Sequence, residues 1–117
     1  MHDWIAKADK DRLRSYLDFR IDFLKEELDE TEAALVSMDA EEIVDGLVDL
    51  CVVAIGTLDA FGVDPYKAWD EILKCNMNKQ VGIKEGRPNP LGLPDLTKPE
   101  DWKGPDHTEN HGKLHDI

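Results

Sequence analysis

Glu26, Glu27 and Glu30, in the stretch EELDE, crowd three carboxylates into little more than one helical turn. Like charges at i,i+4 destabilise a helix, so stacking Glu26 beneath Glu30 calls for a compensating interaction. A second acidic set, Glu42, Asp45 and Asp49, follows at helical spacing and forms a single stripe on the next predicted helix. Asp49 leads straight into the apolar run LCVVAIGTL (50–58) and is therefore expected not to be freely exposed. Burying an ionised carboxylate without a partner is costly. A hard divalent cation would relieve both the burial and the repulsion. Ligation by oxygen alone, without histidine or cysteine, points to Mg²⁺ or Mn²⁺. The plainer alternative is that the acids form a solvated helix face and hold nothing.

The elements that must carry these residues are helical. Apolar residues at Leu13, Leu17, Ile21, Leu24, Leu28 and Leu35 keep helical spacing and predict a helix over about 9–36, with Asp9 or Asp11 as its N-cap. This leucine stripe is expected to face the core. Glu26, Glu27 and Glu30 lie opposite or beside it and share their face with Tyr16, Phe19 and Phe23. A purely solvated face does not normally carry three aromatics in line with its acids, so that face is expected to be occupied. A second helix is predicted over about 40–61, capped by Ser37 or Asp39 and ended by Gly62. A third opens at Pro65 and turns Ala68, Trp69, Ile72, Leu73 and Cys75 toward a core. No alternation long enough for a convincing strand is present.

All six prolines lie at or beyond position 65, five of them after position 87. The expected organisation is a helical domain over 1–79 and an extended, proline-rich C-terminal arm over 80–117. The fold class is all-α: an antiparallel helical bundle completed by homo-oligomerisation, as a dimer or tetramer. A core this small rarely holds alone, and residues 50–58 are apolar on every side, so something must cover every side. Close approach of helices in the oligomer would explain Gly46 and Gly56 inside the second helix. Trp4 and Trp102 are expected to anchor the terminal segments. The spacing of His107, His111 and His115 resembles a metal-binding face, but Gly112 interrupts it and a frayed terminus is the better reading.

Composition narrows the function. The 117 residues carry 26 acids against 14 bases, a formal net charge of −12, which argues against a nucleic-acid backbone as partner. Cys51 and Cys75 make no pairing framework; Cys51 reads as a small core residue and Cys75 as the one able to be exposed. The N-terminal MHDWIAKADK has no apolar signal segment, and the longest apolar run is too short to span a membrane. A soluble, cytoplasmic protein with no membrane partner is expected.

The motifs resemble a known family. EELDE is similar to the EExxE half-motif of MazG-like nucleotide pyrophosphohydrolases, the all-α NTP pyrophosphatase superfamily, which also includes dimeric dUTPases and phosphoribosyl-ATP pyrophosphohydrolase. VDGLVDLCVVAIGTLDAFGVDP stands where that family has ExxD before an apolar helix, and NMNK (76–79) resembles the Asn-x-x-Lys of short, phage-type members. The second half-motif departs from the pattern. If Asp49 is the family's aspartate, the position three before it is Gly46, which cannot ligate, so Asp45 must substitute, with Glu42 supporting or replacing it.

The resemblance implies hydrolysis of a (d)NTP to the monophosphate and pyrophosphate, in pool control or housecleaning. It implies Mg²⁺ (Mn²⁺ as a substitute) held by Glu26, Glu27, Glu30, Asp45 and Asp49, with Glu26 or Glu27 orienting or deprotonating the attacking water. Asn76 and Lys79 would contact phosphate or sugar, and Tyr16, Phe19 and Phe23 would lie near the base. The alternatives are the same chemistry on phosphoribosyl-ATP, or a non-catalytic acidic helical adaptor.

Overall fold

The computed structural model describes residues 2–84 and 86–117, and of His2 the backbone alone. Four helices carry most of the structure: α1 (His2–Lys7), α2 (Lys10–Val36), α3 (Ala40–Ala60) and α4 (Pro65–Met77). The all-α class expected from the sequence is what the chain adopts. No described helix is long and apolar enough to cross a membrane.

Local chemistry sets the helix ends. The Asp9 carboxylate accepts from the Arg12 N–H at 2.9 Å and caps α2; the Asp39 carboxylate accepts from the Glu42 N–H at 3.2 Å and caps α3. Between them the chain reverses in three residues, with Met38 in the left-handed region at φ 53°. Gly62, at φ +77°, ends α3: its N–H reaches the Asp59 carbonyl, and the Val63 N–H reaches that of Leu58.

The chain packs as two compact units. The first contains the residues up to Pro65 together with Glu109–Ile117. In it α2 and α3 form an antiparallel hairpin, and the core gathers at one end. Ile5, Leu13, Ala60, Phe61 and Val63 are buried there, Phe61 completely. The Tyr16 ring packs between Trp4 and Phe61, at centroid distances of 5.9 and 5.6 Å. The C-terminal segment closes this end and is not a frayed tail. Buried Asn110 accepts from the Asp64 N–H at 2.8 Å and donates to the Asp64 carbonyl at 3.0 Å. The Lys113 N–H donates to the Phe61 carbonyl at 2.7 Å, leaving Gly112 no room for a side chain. His111 and His115 stack on each other at 6.4 Å on the outside of a 3-10 helix over Gly112–Asp116.

The second unit covers Tyr66–Thr108. It holds most of α4 and two three-residue strands, β1 (Gln80–Gly82) and β2 (Asp95–Thr97), paired antiparallel with Val81 opposite Leu96. These strands overturn the expectation of none; three residues are too few to show alternation. The Trp102 indole N–H donates to the Cys75 carbonyl at 2.8 Å, tying the following segment back to α4. Trp4 and Trp102 thus each fasten the segment that carries them, as expected.

Several burial expectations are corrected. Of the leucine stripe on α2, only Leu13 is buried; Ile21, Leu28 and Leu35 are exposed, Leu28 by 54% and Leu35 by 65%. On α4, Trp69, Ile72 and Leu73 are exposed and Cys75 is the buried residue. Cys51 is exposed, not core. The hydrophobic periodicity identified a continuous apolar face, but in this chain most of that face is not in the core.

Candidate metal and nucleotide site

The seam between α2 and α3 is fastened at two points. Near the core end, Arg20 reaches across from α2: its Nε donates to the Thr57 hydroxyl at 2.9 Å and an Nη to the Val53 carbonyl at 3.1 Å. Near the turn, Thr31 lies so close to Gly46 that a β-carbon there would collide with its hydroxyl. Thr31 itself donates to the Glu27 carbonyl one turn back, at 2.8 Å. Gly46 therefore lets α3 approach α2 within a single chain, which replaces the oligomer contact expected for it. Gly56 likewise faces Arg20 of the same chain, whose guanidinium would lie 3.2 Å from a β-carbon.

These two fastenings set the rotation of both helices. With Glu27 at zero on α2, Arg20 and Thr31 lie at about 20° and 40°, in the seam. Glu26, Glu30 and Phe19 fall at about −100°, −60° and −80°, while Leu28, Ile21 and Leu35 fall at about 100°, 120° and 80°. With Gly46 at zero on α3, Asp45 and Asp49 fall at about −100° and −60°, and Leu47 and Leu58 at about 100° and 120°. In an antiparallel pair, rotations of one sign emerge on the same side. The hairpin therefore has an acidic flank built from both helices and, opposite it, an apolar flank built from both.

Glu27 sits at the seam on the acidic side and is half-buried, while Glu26, Glu30, Asp45 and Asp49 are exposed. The expected burial of Asp49 is corrected, because the apolar residues after it turn to other sides of α3. The Glu27 carboxyl is pushed above the ordinary glutamate range, by partial desolvation first, then by the negative charge of Glu30, Asp49, Glu26 and Asp45. Two of those four charges come from α3, so the fold brings the two sequence motifs into one electrostatic field. Among the described residues, none of the five acids makes an ion pair. The only donor set here is carboxylate oxygen, which fits a hard divalent cation. Among the described residues, no three Asp, Glu, His or Cys side chains already converge as a metal cluster. The acids are spread along the flank, four of them exposed and Glu27 half-buried among them.

The aromatic residues separate. Phe19 is exposed on the acidic flank, and Phe23 is half-buried beneath the Arg20 guanidinium, 5.6 Å from its ring centroid. Tyr16 lies about 16 Å further along α2 from Glu27, and its ring is engaged by Trp4 and Phe61. Its position makes it a packing residue rather than a neighbour of the acids. Glu42 occupies the first turn of α3, its N–H held by the Asp39 cap. Asn76 and Lys79 belong to the second unit, where the Lys79 ammonium lies over the Trp102 ring at 5.2 Å. Sequence reasoning missed Arg20 and Thr31, the two side chains that set the seam. The signal for Thr31 was a small residue one turn after Glu27; for Arg20, a cation within an otherwise amphipathic stripe.

The site is thus an all-α hairpin that presents carboxylates from two helices on one flank. The family model described as phosphoribosyl-ATP pyrophosphohydrolase matches residues 7–76, which include all of α2 and α3. The chain belongs to that family, within the MazG-like all-α NTP pyrophosphohydrolase superfamily. Comparison with curated proteins and with solved structures gave no match. Membership makes the chain a pyrophosphohydrolase, a hydrolase acting on a phosphoric anhydride.

Proposed function

We propose that this protein hydrolyses a nucleoside or deoxynucleoside triphosphate to the monophosphate and pyrophosphate, using Mg²⁺ or Mn²⁺ on the acidic flank of the α2–α3 hairpin. The observation that carries the reading is Glu27, half-buried at the seam and facing Asp45 and Asp49 across it. Glu26, Glu27, Glu30, Asp45 and Asp49 would hold the cation, with Glu42 in reserve one turn before. Bound there, the metal supplies neutralisation of the phosphates and a lowered pKa for an attacking water. Glu26 or Glu27 would take a proton from the attacking water as its oxygen bonds to phosphorus and the α–β anhydride bond breaks, with pyrophosphate as the leaving group. Phe19, exposed beside the acids, offers a stacking face for the base, with Phe23 behind it; Asn76 and Lys79 are assigned to phosphate or sugar.

The same reading includes a second copy of the chain. Ile21, Leu28 and Leu35 of α2 and Leu47 of α3 form the apolar flank, all exposed in one chain, and burial against a like surface gives a dimer or tetramer. The net charge of −12 leaves nucleic acid and anionic membranes as improbable ligands.

Phosphoribosyl-ATP is the second substrate, favoured by the description of the matching family. The test is pyrophosphate release from a panel of canonical and modified NTPs and dNTPs together with phosphoribosyl-ATP, each with Mg²⁺, Mn²⁺ or EDTA. Metal-dependent release from an NTP or dNTP supports the first reading. Release from phosphoribosyl-ATP alone replaces it with the second. No release from any, by folded protein, overturns both and leaves an acidic adaptor.

A further inference from the structure

The second unit carries a basic pocket in a strongly acidic chain. A cavity of about 490 Å³ is lined by Lys79, Ile83, Lys84, Leu96, Thr97 and Lys98; among the described residues three lining side chains carry an ammonium group and none a carboxylate. Lys79 follows α4, and Lys98 follows β2, so the pairing of β1 with β2 brings together lysines nineteen positions apart. Both ammonium groups lie over the same indole: Lys79 at 5.2 Å and Lys98 at 5.0 Å from the Trp102 centroid. The two charges are thus at most about 10 Å apart, close enough to repel within a Debye length. Trp102 is itself fixed by its N–H bond to the Cys75 carbonyl. Among the described residues, neither Lys79 nor Lys98 has a carboxylate partner; Lys84, by contrast, is 3.6 Å from Asp95. The ring face orients the two free ammoniums but cannot neutralise them.

We propose that Lys79 and Lys98, held on the Trp102 ring, form a metal-independent binding site for a di- or polyphosphate anion. Two ammonium groups within about 10 Å of each other can both reach one di- or polyphosphate chain, and among the described lining residues they outnumber the acids, which reverses the local charge of an otherwise acidic chain. Lys84 also lines the cavity but is already paired with Asp95 at 3.6 Å. Lys98 and Trp102 lie beyond the residues that the family model matches, so this site is a property of this chain's own C-terminal segment. The identity of the anion as substrate or product rests on the proposed hydrolysis; the existence of the site does not. Free pyrophosphate and the β,γ-phosphates of a nucleotide share the required chemistry.

The experiment uses the full chain, labelled with nitrogen-15, in EDTA so that no turnover occurs. The indole N–H resonance of Trp102, assigned as the one missing from W102F, is followed during titration with inorganic pyrophosphate, with orthophosphate, and with a non-hydrolysable nucleoside triphosphate, at constant ionic strength. Saturable movement with pyrophosphate, weakened about tenfold in K98Q and in K79Q, is expected from loss of one charge-assisted hydrogen bond. Tighter binding of the nucleotide analogue than of pyrophosphate assigns the site to substrate; the reverse assigns it to product. No saturable movement with any of the three, or unchanged affinity in both variants, overturns the proposal. That failure leaves metal-dependent hydrolysis untouched, and failure of hydrolysis leaves a positive titration standing.

Discussion

The two flanks of the α2–α3 hairpin are built from the same pair of helices and differ only in rotation. On one, Glu26, Glu30, Asp45 and Asp49 flank the half-buried Glu27. On the other, Leu28 and Leu47 are 54% and 52% exposed. Each flank is unsatisfied in one chain, and for opposite reasons: the first concentrates charge without counter-charge, the second exposes apolar surface to water. On the reading proposed above, a cation would satisfy the acidic flank and a second copy of the chain the apolar one. A single short hairpin can thus carry a site on one side and an assembly surface on the other, because the seam between them is made from small and polar groups, Thr31, Gly46, Arg20 and Thr57.

The strongest way to break this comparison is to remove an acid. Glu27→Ala and Asp49→Ala should each leave a folded protein, by circular dichroism, while pyrophosphate release falls by about a hundredfold or more, as expected for loss of a ligand or general base. Undiminished turnover in both would show that the acidic flank is only a solvated face.

The opposite flank is tested by charge. Leu28→Glu with Leu47→Glu should leave the helical content intact and shift sedimentation to the monomer, since burying unpaired carboxylates in an apolar interface costs several kcal/mol. Stability should also lose its dependence on protein concentration. If the wild-type chain already sediments as a monomer, the apolar flank has another role and the contrast with the acidic flank fails.

Sequence periodicity made the helices legible but not which face of α2 meets α3. Leucine spacing pointed to Ile21, Leu28 and Leu35 as core, yet the intrachain seam runs through Arg20, Glu27 and Thr31. Hydrophobic patterning marks an apolar face and does not say which helix, if any in the same chain, packs against it. The caps at Asp9 and Asp39 and the stop at Gly62 were readable because they are local. The return of Asn110 to Asp64, across 46 residues, left no local signal. At the candidate site, both acidic motifs were visible, and the seam that turns Glu27 toward Asp45 and Asp49 was not. Tyr16 looked like a companion to the acids because rotation about a helix says nothing of distance along it.

The seam itself is the next test. Gly46→Ala inserts a methyl group against the Thr31 hydroxyl, and the helices must part or Thr31 must shift. Overpacking of this kind typically costs about 1–3 kcal/mol. Chemical denaturation should show that loss, and Thr31→Ser, which keeps the hydroxyl and removes the neighbouring methyl, should recover little of it. Thr31→Ala in the Gly46→Ala background removes the colliding oxygen and should recover more. A Gly46→Ala protein as stable as wild type would mean that the helices are not held this closely.

The smallest expected effect has the most informative sign. Glu27 has its carboxyl pKa raised in the folded protein, so its ionisation opposes folding. That group's contribution is most favourable below the ordinary carboxylate range and is lost as pH rises through its raised folded value. Glu27→Gln does not titrate. In EDTA the variant should therefore match wild type near pH 4, roughly the ordinary glutamate pKa, and be the more stable of the two at neutral pH. Adding Mg²⁺ should reverse the order, because a cation that binds only the folded state stabilises wild type by mass action and finds one ligand fewer in the variant. Thermal melts at two pH values, with and without metal, read all four states. A variant less stable than wild type in EDTA at neutral pH would mean that Glu27 already has a favourable partner in the fold. The acidic flank would then be self-satisfied, and only the apolar flank would still need one.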